Sequence, residues 1–315
     1  VMNVCVGLSV IVAIAALINA GITSIEAGSL YKVANDDGTI VKQYYFTYTH
    51  LAFFIMHPAY FSLYIGAAIF TGLYLVVNKT SLIKSAWLQI VIIGFLFIFL
   101  ILLQGRISIL AFLAMLFIGV LIYFFTKGSY LKGAGIVAVP IGFIVALLLF
   151  APASFTRRFT EFSSMKYDLQ APAVHDFNGF TIRLAEWECA LDAIGKQPLL
   201  GHGLGDGHIE LMKAYRENGF VVGYTKEYNC HNQYLETTLQ TGLIGLLIML
   251  GILLYMLYVA YQHKSLLLFV LVGFVSVSML TESLLERQWG IGFFTSFMVF
   301  LAVSLRAELP SSPET

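Results

Sequence analysis

The sequence predicts an all-α integral membrane protein, a polytopic helical bundle carrying one large helical loop outside the membrane. Three observations predict this class. Hydrophobic residues make up 59% of the 315 positions and charged residues 11%, with a mean hydropathy of +0.83, so the chain has far more apolar residues than a soluble core of its length buries. The apolar residues gather in runs of about 17 to 20, enough to cross a bilayer core of roughly 30 Å. Between two such groups of runs lies a polar stretch, residues 152–241.

About eight spans follow from the runs: 1–20, 59–77, 87–103, 107–125 and 134–151 before the polar stretch, and 242–261, 265–280 and 290–305 after it. The first has no basic n-region and no small-residue cleavage site, so it reads as a span and not a signal peptide. The chain therefore divides into an N-terminal membrane bundle of five spans (1–151), an extramembrane loop (152–241), and a C-terminal bundle of three spans with a tail (242–315). The segment between the first two spans, with Tyr44, Tyr45, Phe46, Tyr48 and His57, is expected at the membrane surface as an aromatic belt.

The short loops set the orientation. If 152–241 is external, the internal connections and tail hold Lys79, Lys84, Lys127, Lys132, Lys264 and Arg306 against Glu308 and Glu314 alone, as the positive-inside rule requires. Any site on the long loop then faces away from the cytoplasm. ATP and nucleotide sugars are absent there, so a synthetic reaction needs a substrate that arrives already activated.

Cysteine usage is sparse: Cys5 lies in a span, and Cys189 and Cys230 lie in the loop, where a disulfide is conceivable but not specified by sequence. No C-x-x-C or H-E-x-x-H pattern occurs, and these metal sites are not indicated. G-x-S-x-G is also absent, which weakens a hydrolase reading.

Charged residues near the external span ends are the next candidates. Arg106 closes the Gln104-Gly105-Arg106 connection, at the N-terminus of the fourth span. A cation there opposes the helix dipole, unless guanidinium and free N–H groups jointly hold an anion such as phosphate. An arginine snorkelling to headgroups is the alternative, and this residue alone does not decide.

Within the loop, residues 181–194 read as a helix capped by Asn178 or Thr181. Spacing puts Arg183, Glu186 and Trp187 on one face, and an exposed Arg183–Glu186 ion pair is the plain expectation. The glycines of Pro198-Leu199-Leu200-Gly201-His202-Gly203-Leu204-Gly205-Asp206-Gly207 resemble a phosphate loop only weakly. A sharp turn before a helix from Asp206 to about Asn218 is the better reading. His231 begins a helical run, 231–240, leading into the sixth span. A helix N-terminus disfavours imidazolium, which predicts a neutral ring able to accept a proton. A histidine that merely caps the helix is the alternative.

Arg183 with Trp187, then Pro198 to Gly203, then His231-Asn232-Gln233-Tyr234-Leu235 followed by Thr241-Gly242-Leu243-Ile244-Gly245, resembles the signature region of the O-antigen ligase and O-antigen polymerase superfamily. Glu282, Gln288-Trp289-Gly290 and the aromatic span after them fit the same pattern, and the match covers about 104–305. The resemblance implies a metal-independent, inverting glycosyltransferase in the bacterial inner membrane, with its site on the periplasmic side and no cofactor. Its implied partners are a polyprenyl-diphosphate-linked glycan donor, a lipid or saccharide acceptor and membrane lipids, with no nucleic acid. His231, Arg183 and Arg106 match the family's catalytic positions, while Trp187, Asn232, Tyr234, Glu282 and Arg287 are expected to bind substrate. Family members have ten to twelve spans, so N-terminal spans are expected to be missing here.

In chemical terms, Arg106 and Arg183 would stabilise the departing diphosphate and His231 would take the proton of the attacking hydroxyl. Glu282, Glu286 and Arg287 would orient sugars or pair with the arginines, a structural ion-pair network being equally open. A ligase acting on lipid A–core is the first reading. A polymerase, a protein O-oligosaccharyltransferase and a non-enzymatic transporter of lipid-linked glycans are the alternatives, and the near absence of charge within the spans disfavours the last.

Overall fold

In the computed structural model, which describes residues 1–36, 39–52, 55–128, 142, 145 and 167–307, the apolar runs are helices. Among the described residues five helical stretches are long and apolar enough to cross a membrane: α1 (Met2–Glu26), α3 (Pro58–Val77), α5 (Arg106–Lys127), α9 (Gln233–Gln262) and the run Gln288–Arg306. That last run comprises α11 (Gln288–Phe293), one π-helical stretch (Phe294–Val299) and α12 (Phe300–Ala307). Shorter apolar helices are α4 (Ala86–Leu102) and α10 (Leu266–Ser278). The chain is a multi-pass membrane protein. The span expected at 134–151 lies outside the described residues, positions 142 and 145 apart.

The chain divides into two compact units. The first holds residues 1–119, 256–275 and 288–315. Its central helix is α3, which packs against α1 and α4 and is buried over most of its length. Phe70, Phe112 and Phe274 meet with ring centroids 4.7 to 6.3 Å apart. That cluster closes over Gly66, where an added Cβ would lie 2.7 Å from the Phe274 ring, so the helices approach at a small residue as membrane helices commonly do. The outward side of α1 exposes Leu8, Ile11, Ile14, Ile18 and Ile22, a continuous apolar stripe suited to lipid.

The surface segment expected only as an aromatic belt contains an antiparallel hairpin, β1 (Tyr31–Asp36) with β2 (Thr39–Tyr44), in register Tyr31 to Tyr44. Tyr31 and Tyr44 meet edge to face, and the Lys42 ammonium lies 4.6 Å from the Tyr31 ring centroid. A one-turn helix, α2 (Tyr48–Ala52), follows, and α3 begins at Pro58 with the His57 imidazole accepting the N–H of Ala59.

The second unit holds residues 120–255 and 276–287. The polar loop contributes α6 (Thr181–Lys196), α7 (Gly207–Glu217) and α8 (Val221–Lys226). These helices have a core of their own in which Ala185, Cys189, Ala193, Leu211, Ala214, Tyr215, Phe220 and Cys230 are buried. Cys189 and Cys230 are free thiols, and burial pushes Cys189 up to about 12.

Helix α9 is broken at Gly242, whose backbone (φ 68°, ψ −172°) belongs to glycine alone. A break in a helix strands backbone groups that need new partners. The loop before α7 supplies them: the N–H groups of His202 and Gly203 donate to the carbonyls of Leu239 and Gln240 at 2.9 and 2.8 Å, and Leu243 donates to Pro198 O at 2.9 Å. Gly201 and Gly242 touch at this junction, where a Cβ on Gly201 would lie 2.5 Å from the Gly242 nitrogen. The glycine-rich turn is thus a backbone clamp on the kink of α9.

Candidate active site

In the second unit Arg183, Glu186, His231 and Glu282 come together where α6, the residues before α9 and the 281–287 connection meet. Helix α6 starts after Asn178, whose Oδ1 accepts the N–H groups of Phe180 and Thr181. One turn on, the Arg183 guanidinium is clamped by three acceptors: Nε donates to Thr281 O at 3.0 Å, one terminal nitrogen to Gly179 O at 2.5 Å, and the other to Glu282 Oε1 at 2.8 Å. Arg183 and Glu282 retain only 22% and 17% of their side-chain exposure. The expected Arg183–Glu186 pair is therefore replaced by a longer-range one. Ala185, Cys189, Ala190 and Ala193 are buried, and Glu186, one turn before Ala190, falls on that buried face.

A carboxylate buried there needs a partner, and His231 provides it. His231 Nδ1 lies 3.0 Å from Glu186 Oε2, with the Glu186 side chain 1% exposed and the His231 side chain 30%. Its ring also meets the edge of Tyr228, and the His231 backbone N–H donates to Asn229 Oδ1. An ionised carboxylate only accepts, so Nδ1 carries the proton and Nε2 is left as the acceptor. Among the described residues Nε2 has no hydrogen-bond partner.

The nearby carboxylates, and not only a helix dipole, act on His231. His231 sits at φ 40°, two residues ahead of the first helical residue of α9. Burial acts to lower its pKa, but the hydrogen bond and charge of Glu186, with the charge of Glu282, outweigh burial and the opposing Arg183, and the pKa is raised. Burial likewise raises Glu186 against the pull of His231 and Arg183. The ring is a stronger base than a free histidine.

The other predicted residues have mixed positions. Asn232 is buried and caps α9, its Oδ1 accepting the N–H groups of Tyr234 and Leu235 at 3.0 and 3.2 Å. The Tyr234 hydroxyl donates to Ser276 O at 2.8 Å, so both residues hold the helix that follows His231. Trp187 is half-buried beside Glu186, and its Nε1 is buried without a partner among the described residues. Glu282 holds Arg183, and Arg287 is exposed at the end of the same connection. Arg106 belongs to the first unit, at the first turn of α5.

Sequence reasoning missed Glu186 as the partner of His231. The signal was its position on the apolar stripe of α6, one turn from Ile182 and from Ala190. It also missed the bracing network in which Glu236 accepts from the Cys230 N–H, Ser283 Oγ and Gln240 Nε2, while Glu286 accepts from Gln240 and Asn229. His202 is structural: its Nε2 donates to Ala193 O at 2.8 Å. Among the described residues no three His, Cys, Asp or Glu side chains are grouped as metal ligands.

The cluster thus joins a basic imidazole with an open nitrogen to a guanidinium fixed on the same helix as its carboxylate partner. No curated protein matches the chain. Residues 89–250 match the sequence model of the family described as O-antigen ligase, a stretch that includes Arg106, Arg183, Trp187, His231, Asn232 and Tyr234. That stretch exceeds half of the 315 residues, and the chain belongs to the O-antigen ligase family.

Proposed function

We propose that this membrane protein, a glycosyltransferase of the O-antigen ligase and polymerase type, transfers a glycan from a polyprenyl-diphosphate donor to a hydroxyl of lipid A–core on the periplasmic face. The observation that carries this reading is the Glu186–His231 pair with Nε2 open, beside Arg183. Nε2 accepts the proton of the acceptor hydroxyl as its oxygen attacks the anomeric carbon. The bond to the diphosphate breaks on the opposite face, its electron pair leaves with the phosphate, and the anomeric centre inverts. Arg183 stabilises the charge that develops there, through the N–H groups its three protein partners leave over.

Arg106 is proposed as a second catalytic arginine. Glu282 does not abolish the role of Arg183: a fixed guanidinium needs no reorganisation as charge appears. Trp187 and Arg287 are proposed to contact the sugars, and Asn232, Tyr234 and Glu282 to hold the groups that do. The donor's lipid tail stays in the bilayer, since leaving it would expose a large apolar surface to water. A polymerase is the second reading, because the base and the arginine serve any acceptor hydroxyl.

Purified protein in proteoliposomes, supplied with an undecaprenyl-diphosphate-linked oligosaccharide, distinguishes the two. Glycan appearing on added lipid A–core supports the ligase. Elongation of the donor glycan instead identifies a polymerase, and transfer to neither overturns the reading.

A further inference from the structure

We propose that Glu186 is a positioning residue for the transfer: its buried carboxylate takes the Nδ1–H of His231, fixes the tautomer that leaves Nε2 bare, and stabilises the imidazolium that forms there. The inference rests on His231 being the base. The geometry is a 3.0 Å contact from a carboxylate with almost no exposure, on a helix whose start is secured by Asn178 and whose Arg183 is tied to the 281–287 connection.

The second carboxylate oxygen is the informative atom. Glu186 Oε1 is buried and has no hydrogen-bond partner among the described residues, which is unusual for a glutamate kept only to hold a fold together. Of the cations on its own helix, Lys196 pairs with Glu217 and Arg183 is hydrogen-bonded to Glu282, so Arg183 acts on Glu186 only through its charge and the group in direct contact with Glu186 is His231. The groups around the pair are Arg183 and Glu282, the Tyr228 ring, and beyond them Tyr215, Cys189 and Cys230. None of these balances a Glu186 anion at rest as a protonated His231 does.

Compensation therefore increases as the reaction proceeds. The proton leaves the acceptor hydroxyl for Nε2, Nδ1 keeps its own, and an under-compensated anion acquires an adjacent cation at the moment the sugar–oxygen bond forms. An interaction stronger in the transition state than in the ground state accelerates the step. The proton then passes from Nε2 to water, and the pair returns to its resting state. Burial raises the Glu186 pKa against the pull of His231, as suits an under-compensated anion, and the Glu186 charge in turn raises His231.

The test uses the full chain, purified and reconstituted with an undecaprenyl-diphosphate-linked oligosaccharide and lipid A–core, in wild type, Glu186→Gln, Glu186→Asp and His231→Ala. Glu186→Gln preserves volume and removes the charge. The rate constant kcat is expected to fall by about 10²-fold or more with KM nearly unchanged. The acid limb of the kcat profile moves to lower pH, because His231 loses the charge that raises it, and Glu186→Asp recovers part of the rate. Nitrogen-15 spectra of the histidines are expected to show His231 protonated on Nδ1 in the wild type and shifted toward the other tautomer in Glu186→Gln. That readout needs no substrate, and in the wild type alone it is decisive even if Glu186→Gln does not fold. A Glu186→Gln rate loss uniform across pH with His231→Ala inactive overturns the inference while leaving the base in place, whereas a wild-type ring protonated on Nε2 at rest overturns both, since that nitrogen could not then accept the acceptor's proton. An active His231→Ala overturns the base reading and the inference with it.

Discussion

Replacing Gly242 by Ala strikes the junction that aims the His231 end of α9. The new Cβ would lie 2.1 Å from the Leu199 carbonyl oxygen, 2.3 Å from its carbon and 2.5 Å from the Leu200 nitrogen, all backbone atoms that cannot rotate aside. The backbone at φ 68°, ψ −172° costs an L-residue about 1 to 3 kcal/mol by itself. Relieving the clash separates the 198–203 loop from the kink and threatens the backbone bonds from His202, Gly203 and Leu243, at about 0.5 to 1.5 kcal/mol each. The expected loss is between about 3 and 7 kcal/mol. Thermal unfolding in detergent measures it, with thiol labelling as a local probe, since Cys189 and Cys230 are fully buried and react only when the loop core opens. Gly251→Ala is the control: its Cβ meets nothing within 4 Å inside a helix, so it is expected to be neutral or stabilising by up to about 1 kcal/mol. Equal midpoints and equal thiol protection for the two variants would refute the clamp.

Arg183→Lys keeps a positive charge but loses the forked contacts to Thr281 O and Glu282, and transfer is expected to drop at least about tenfold with the protein still folded; an unchanged rate would remove Arg183 from the mechanism. Glu282→Gln leaves the Arg183 charge half-buried and uncompensated, and is expected to cost about 1 to 3 kcal/mol of stability, measured by the same thermal assay. Asn232→Ala removes the cap of α9 and is expected to cost about 0.5 to 2 kcal/mol, whereas Asn232→Ser, which can still cap, retains most stability and transfer. Loss of transfer in Asn232→Ser with full stability would instead indicate direct substrate contact. Transfer is expected to survive EDTA; inhibition reversed by Mg²⁺ would redirect attention to Asp206, Glu236 and Glu282 as ligands.

Hydropathy made the spans legible, because a bilayer demands length and apolarity and little else. Seven of the apolar runs are helices among the described residues, with ends shifted by a few positions. Helices α6 and α7 were legible too, from the Asn178 signal and from Asp206 and Asn218 at the ends of α7. The hairpin was missed although an Asp-Gly pair stands at 37–38, directly before the β-branched run Thr39-Ile40-Val41, because an aromatic-rich segment between spans was read by composition alone. The kink at Gly242 was taken as the start of a span, since an apolar helical pattern continues through it and only the contact with Pro198 and Leu199 breaks it. At the site, residue types and spacing made Arg183 and His231 candidates, and Glu282 was open as a partner of the arginines, but Glu186 was not seen as the partner of His231. Glu186 was assigned to the i+3 neighbour Arg183, whereas the partnerships are made across 45 residues to His231 and 99 to Glu282. Tertiary pairing decides such contacts, and helical periodicity carries no information about it.

Glycan transfer by the purified His231→Ala variant, from an undecaprenyl-diphosphate-linked oligosaccharide to lipid A–core in proteoliposomes, tests the proton-transfer mechanism most directly. Wild-type protein is expected to transfer with an acid limb above the ordinary histidine value of about 6.5, because the base must be unprotonated and its pKa is raised by Glu186. The variant is expected to lose at least about 10²-fold of that rate while eluting as a folded, inserted protein, since no span contains the substituted residue. Transfer by His231→Ala at a near wild-type rate would contradict the mechanism.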